Sequence, residues 1–76
     1  RFIMERDSVA DTVYAEAFEC EERCRVRELH AVKARIGAGS VAEKVYYVES
    51  LETEEGVKVE KAERIAELKP PEGFTL

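Results

Sequence analysis

The heptapeptide SVADTVY at residues 8–14 returns as SVAEKVY at residues 40–46. Ser8/Ser40, Val9/Val41, Ala10/Ala42, Val13/Val45 and Tyr14/Tyr46 match at an offset of 32, with acidic Asp11 facing Glu43. A second alignment, at an offset of 17, sets VAEKVYYVESLETEEG beside KVEKAERIAELKPPEG. It pairs Glu43 with Glu60, Lys44 with Lys61, Val48 with Ile65 and Leu51 with Leu68, with Gly39, Gly56 and Gly73 in step. The larger offset is therefore about two smaller ones, and the chain is built on a unit of 16 or 17 residues.

A fixed period names an architecture before any residue-level reading does. Leucine-rich, ankyrin and helical-pair repeats each need roughly 20 to 47 residues, too many for this unit. One coil of a parallel β-helix fits it: at about 3.3 Å per residue the unit traces three short strands with tight corners, and the next coil stacks at about 4.8 Å. The predicted coils are 8–23, 24–39, 40–56 and 57–73, so that residues 1–7 are a lead, 8–73 the β-helix and 74–76 an apolar end. Within the third coil Val45, Val48 and Leu51 recur every three residues, and Ala62, Ile65 and Leu68 take the same phases in the fourth. These six are the expected core.

A spacing of three also describes one stripe of a helix, and VEKAERIAEL alone fits an amphipathic helix. The related VYYVESLET is rich in Val, Tyr and Thr, which favour strands, and related repeats should share one structure. The second coil fits least well, because Val26, Leu29 and Val32 sit one residue out of phase. Its corner is GAGS, where glycine permits the positive φ of a sharp turn, and Gly56 and Gly73 recur there. Pro70 and Pro71 lack backbone donors and suit a last coil where the sheet ends.

A single domain of 76 residues buries a comparatively small share of its surface and needs stabilisation from elsewhere. Net charge is −5 with no basic block, which argues against a nucleic-acid partner or an anionic membrane surface. No apolar run approaches the roughly 20 residues of a membrane span, and RFIMERD lacks the apolar stretch of a signal peptide. A soluble protein is expected, and a start at Arg reads as a fragment without its flanking tails.

Cys20, Cys24 and His30 are the strongest chemical candidates, since thiolates and an imidazole bind zinc. CEERC supplies only one short-spaced pair with none downstream, so one or both cysteines are expected as small buried residues; the redox compartment stays open with a lean towards reducing cytoplasm, and a disulfide across the corner is left open. His30 has no assignable nucleophile and orienting carboxylate, and reads as a wall or surface histidine. Glu16, Glu19, Glu21 and Glu22 lack the spacing of a calcium loop and read as a solvated corner. IGAGS is short of a phosphate-binding loop, and the equivalent Tyr14 and Tyr46 read as an aromatic ladder. No catalytic residue, cofactor or metal ligand is nominated, and an enzyme is not expected.

The stretch ARIGAGSVAEKVYYVESLETEEGVKVEKAERI resembles the bactofilins, polymer-forming cytoskeletal proteins, over about residues 9–68. The resemblance implies a right-handed parallel β-helix that stacks end to end into filaments without bound nucleotide, in the cytoplasm, with disordered tails directing membrane attachment or bundling. It departs from the pattern in having about four coils and in Arg23 and Cys24 standing near the place of the turn glycine. A short, capless solenoid exposes backbone and core side chains at each end, so Phe2 and Ile3 at one end and Phe74 and Leu76 at the other are the expected assembly interface, with a further copy of the chain as partner. The rival reading is a monomeric α/β binding or regulatory module in which residues 57–69 form a helix. An extracellular filament is left open.

Overall fold

The computed structural model describes residues 1–68; Phe74 and Leu76, with Pro70, Pro71 and Gly73, lie outside them. The described residues form a parallel β-solenoid of about four turns with no helix. Its strands are β1 (Phe2–Met4), β2 (Val9–Cys20), β3 (Arg25–Ile36), β4 (Val41–Thr53) and β5 (Lys58–Arg64). They pair in chain order, every pair parallel. Of VEKAERIAEL, the segment read in isolation as a helix, residues 59–64 are strand in β5 and residues 65–68 are neither helix nor strand. The register partners of β5, Val41–Tyr47, are strand, and a stacked repeat has to continue the ladder beneath it.

Alternation along β3 shows why one strand wraps three walls. Cys24 and Val26, Leu29 and Ala31, Ala34 and Ile36 are all buried. Each pair is spaced by two, as a pleated strand requires, and successive pairs are separated by one additional residue, which turns the chain at a corner. Stacking then builds columns: Ala10–Val26–Ala42–Val59, Val13–Leu29–Val45–Ala62 and Met4–Cys20–Ile36–Thr53. Leu29 and Val45 are completely buried.

The step from β2 to β3 and from β3 to the first half of β4 is 16 residues, Val9 to Arg25 to Val41, and Val41 to Lys58 is 17. The extra residue enters at a bulge where Val32 alone spans the gap that Val48 and Glu49 fill in the next coil. Val26 and Leu29 are consequently in phase with Ala42 and Val45; they look displaced only when a step of 17 is applied to a coil of 16.

Among the expected core residues, Val45 is buried, Val48, Leu51, Ile65 and Leu68 are partly buried, and Ala62 is exposed. Ala62 needs correcting for a simple reason. It continues the innermost column, but β5 is the last described strand and nothing among the described residues covers its far side.

The fourth side of each coil is a tight loop with a left-handed residue at Asp7 (φ 62°), Arg23 (52°), Gly39 (72°) and Gly56 (76°). Arg23 therefore occupies the turn-glycine position at a conformational cost that only glycine escapes. Its Nε donates to Asp7 Oδ1 at 2.8 Å and its Nη2 to Oδ2 at 3.3 Å, tying two successive loops together. Ladder bonds continue through the loops, Asp7 N to Glu22 O, Arg23 N to Ala38 O and Gly39 N to Glu55 O, so the coils stay hydrogen-bonded where they turn.

Candidate functional site

The features that a solenoid cannot satisfy internally are its two ends. At the first, β1 covers only Phe18–Cys20, so Val9–Ala17 of β2 present a strand edge with no strand partner among the described residues. Phe2 stacks on Phe18 with ring centroids 5.8 Å apart and planes 12° apart, extending the Phe18–Ala34–Leu51 column by one layer. Its outward face stays open: Phe2 is 40% exposed, Ile3 54% and Val9 76%. Met4 beside them is buried and closes its own column. Phe2 and Ile3, predicted as interface residues, lie on β1, Ile3 in register with the wall residues Glu19, Arg35 and Glu52, and Val9 is exposed at the start of β2.

At the other end β5 has β4 on one side and no strand on the other among the described residues. Val57 and Val59 pack against the core, while Lys58 and Glu60–Arg64 are exposed. Arg64 takes the place above Tyr47 in an inward column and donates from Nε to Val48 O at 3.1 Å.

On the outer surface of the second wall Tyr14, His30 and Tyr46 stack, with centroids 4.2 and 4.7 Å apart, close to the spacing between coils. The Lys61 ammonium lies 5.9 Å from the Tyr46 ring centre, a cation–π contact continuing the stack into β5. Burial, reinforced by the Glu28 charge, pushes the Tyr14 phenol above its ordinary range. His30 Nε2 lies 3.2 Å from Glu28 Oε1. His30 is stacked against both tyrosine rings and is the middle member of the column.

Cys20 and Cys24 are free thiols inside the loop corner. Cys24 N donates to Ser40 Oγ at 3.0 Å, Ser40 Oγ to Glu21 O at 3.3 Å, and the Cys24 thiol to Glu5 O at 3.1 Å. Burial is the main cause that pushes the Cys20 thiol up. His30 stands on the outer wall, so the three residues weighed as a zinc set do not converge, and no group of three or more metal-binding side chains assembles among the described residues.

The acidic run is dispersed likewise. Glu16 is exposed, Glu19 pairs with Arg1 and Arg35, Glu21 accepts from Arg6 N, and Glu22 lies against Arg23. Charges on the walls alternate between coils: Arg27 sits between Asp11 (3.3 Å) and Glu43 (4.0 Å), and Arg35 between Glu19 (4.0 Å) and Glu52 (3.6 Å). Comparison of coils two apart puts Asp11 opposite Glu43 and misses Arg27 between them; the step of 16 contained that signal. Lys44 does pair with Lys61. Among the described residues, no helix is long and apolar enough to cross a membrane.

No protein-family model, no curated protein and no solved structure matches the chain.

Proposed function

We propose that this chain is a structural, self-assembling protein whose solenoid protomers stack end to end into filaments without nucleotide. The observation that carries the reading is that both end strands lack a partner on one side among the described residues, with Phe2, Ile3 and Val9 exposed at the first end. An open parallel ladder with apolar side chains is the surface that ordinarily recruits another strand, and natural proteins cover it, guard it or use it. A small core also gains stability by mass action when its ends are occupied. The bactofilin resemblance points to the same assembly, in the cytoplasm, with membrane attachment directed by tails.

Sedimentation velocity of the full chain across protein concentration tests this. Association that grows with concentration, and that Ile3→Arg reduces without changing the far-UV spectrum, is the expected result. A monomer at every concentration would defeat the reading.

A further inference from the structure

The two cysteines flank the loop on which the N-terminal layer rests. Cys20 ends β2 and Cys24 immediately precedes β3, with Glu21, Glu22 and Arg23 between them. Both meet at one buried hydroxyl: the Cys20 thiol donates to Ser40 Oγ at 3.8 Å, and Cys24 N donates to the same atom at 3.0 Å. Burial is the main cause that pushes the Cys20 thiol up, and the neighbouring Cys24 thiol adds to it both as a hydrogen-bond partner and as a like charge. The Cys24 thiol in turn donates to Glu5 O at 3.1 Å.

The loop between the thiols seats the lead strand. Glu21 N donates to Met4 O at 2.9 Å, Arg6 N to Glu21 Oε1 at 3.0 Å and Asp7 N to Glu22 O at 3.0 Å. The Arg23 guanidinium pairs with the Asp7 carboxylate at 2.8 Å. Each of these bonds is made by Glu21, Glu22 or Arg23, the three residues that a bond between the two sulfurs would enclose in a ring. No third metal-binding side chain joins the cysteines among the described residues, and both thiols are buried with partners for their hydrogens. A disulfide needs no added volume in such a corner, since it draws two sulfurs together to about 2.0 Å.

We infer that Cys20 and Cys24 are a redox pair whose closure to a disulfide loosens the N-terminal layer, residues 1–7, from the rest of the solenoid. The oxidant is a small disulfide of the glutathione class. One cysteine thiolate attacks it, forming a mixed disulfide and releasing the first glutathione thiolate. The second cysteine, as thiolate, attacks the protein sulfur of that mixed disulfide and releases the other. Two electrons pass to glutathione, the two thiol protons end on its released sulfurs, and one S–S bond replaces another. Burial makes the exchange wait until the loop opens, which insulates the pair from rapid oxidation. Once formed, the bond removes the hydrogen that Cys24 gives to Glu5 O and constrains the loop that holds Met4, Arg6 and Asp7. The inference concerns a single copy of the chain and does not depend on end-to-end assembly.

The test equilibrates the full chain with mixtures of oxidised and reduced glutathione, in buffer and in urea, starting from both the reduced and the oxidised protein. Mass spectrometry after acid quenching reads the fraction that has lost two hydrogens to an internal disulfide. Closure is expected at a ratio of oxidised to reduced glutathione about tenfold lower in buffer than in urea, because the fold already brings the thiols together. Hydrogen exchange of the closed protein should show the Arg6 and Asp7 amides exchanging about fivefold faster than in the reduced protein, the effect of one lost hydrogen bond. Amides of β3 and β4 should be unchanged, and reductant should restore the original rates. Closure no easier in the folded chain than in urea would overturn the inference. So would glutathione adducts or intermolecular disulfides in place of the internal bond, or Arg6 and Asp7 exchange that is the same in both forms.

Discussion

Gly37 is the position where stacking leaves no room for a side chain. A Cβ built there would stand 2.2 Å from Glu21 O, 2.6 Å from Glu21 C and 2.7 Å from Cys20 O. All three atoms belong to the backbone of the preceding coil, so no rotamer change relieves the contact. Ala at this position must push the coils apart by the better part of an ångström at a point where Gly37 N donates to Cys20 O at 3.0 Å. Overpacking of this kind costs about 1–3 kcal/mol and a weakened ladder bond about 0.5–1.5 kcal/mol. A domain of this size has about 4–11 kcal/mol of stability in total, so Gly37→Ala removes a large share of it.

Gly39, two residues on, provides the internal control. Its φ is +72°, but the nearest atom to a Cβ there is Arg23 Cγ at 3.4 Å, the flexible part of a side chain. Asp7 and Arg23 already hold the same loop position in other coils. Gly39→Ala should therefore cost only the left-handed strain, about 1–2 kcal/mol. Thermal unfolding followed by far-UV circular dichroism in dilute solution compares the two. The centres of these ranges differ by about 1.5 kcal/mol, so at about 4–8 °C per kcal/mol Gly37→Ala is expected to melt about 6–12 °C below Gly39→Ala. Equal melting temperatures, or the reverse order, would refute the close-approach reasoning.

Three further outcomes follow from the packing and the charges. Leu29→Ala, at a fully buried site between Val13 and Val45, should destabilise by about 2–5 kcal/mol in urea titration; a loss under 1 kcal/mol would mean the column is not packed as described. The Arg23 guanidinium, chiefly through its hydrogen bond, holds the Asp7 carboxyl below its ordinary value of 3.8. Because that folded-state value is depressed, the stability it contributes is present above the ordinary value and lost as pH falls through the lower folded one. NMR titration should find Asp7 back at its ordinary value in Arg23→Ala, and an unshifted titration there would contradict the pairing. The Cys20 thiol, pushed up by burial, should resist iodoacetamide at neutral pH until urea unfolds the chain, whereas rapid labelling of the native protein would contradict its burial.

The architecture was legible because a solenoid copies its own sequence. Ser8–Tyr14 against Ser40–Tyr46 reports two steps of 16, and the alignment of Val41–Gly56 with the residues after it reports one step of 17. What escaped was the change of step between them. The bulge at Val48 and Glu49 changes the local phase without disturbing either alignment, which is why Val26 and Leu29 look misplaced until β3 and β4 are set side by side. Ala62 shows a different limit: periodicity assigns it to the core, but burial also requires a layer on its far side. Arg23, by contrast, was placed near the turn-glycine position by the sequence, and its left-handed φ of 52° bears that out.

The central claim is that the ends of this solenoid join. Negative-stain electron microscopy of the purified chain, at low and at physiological salt, tests it most directly. The account predicts unbranched filaments with an axial length per protomer near 20 Å, about four coils at about 4.8 Å, and more lateral bundling at higher salt as the net charge of −5 is screened. Dispersed single particles at high protein concentration in both buffers would contradict it.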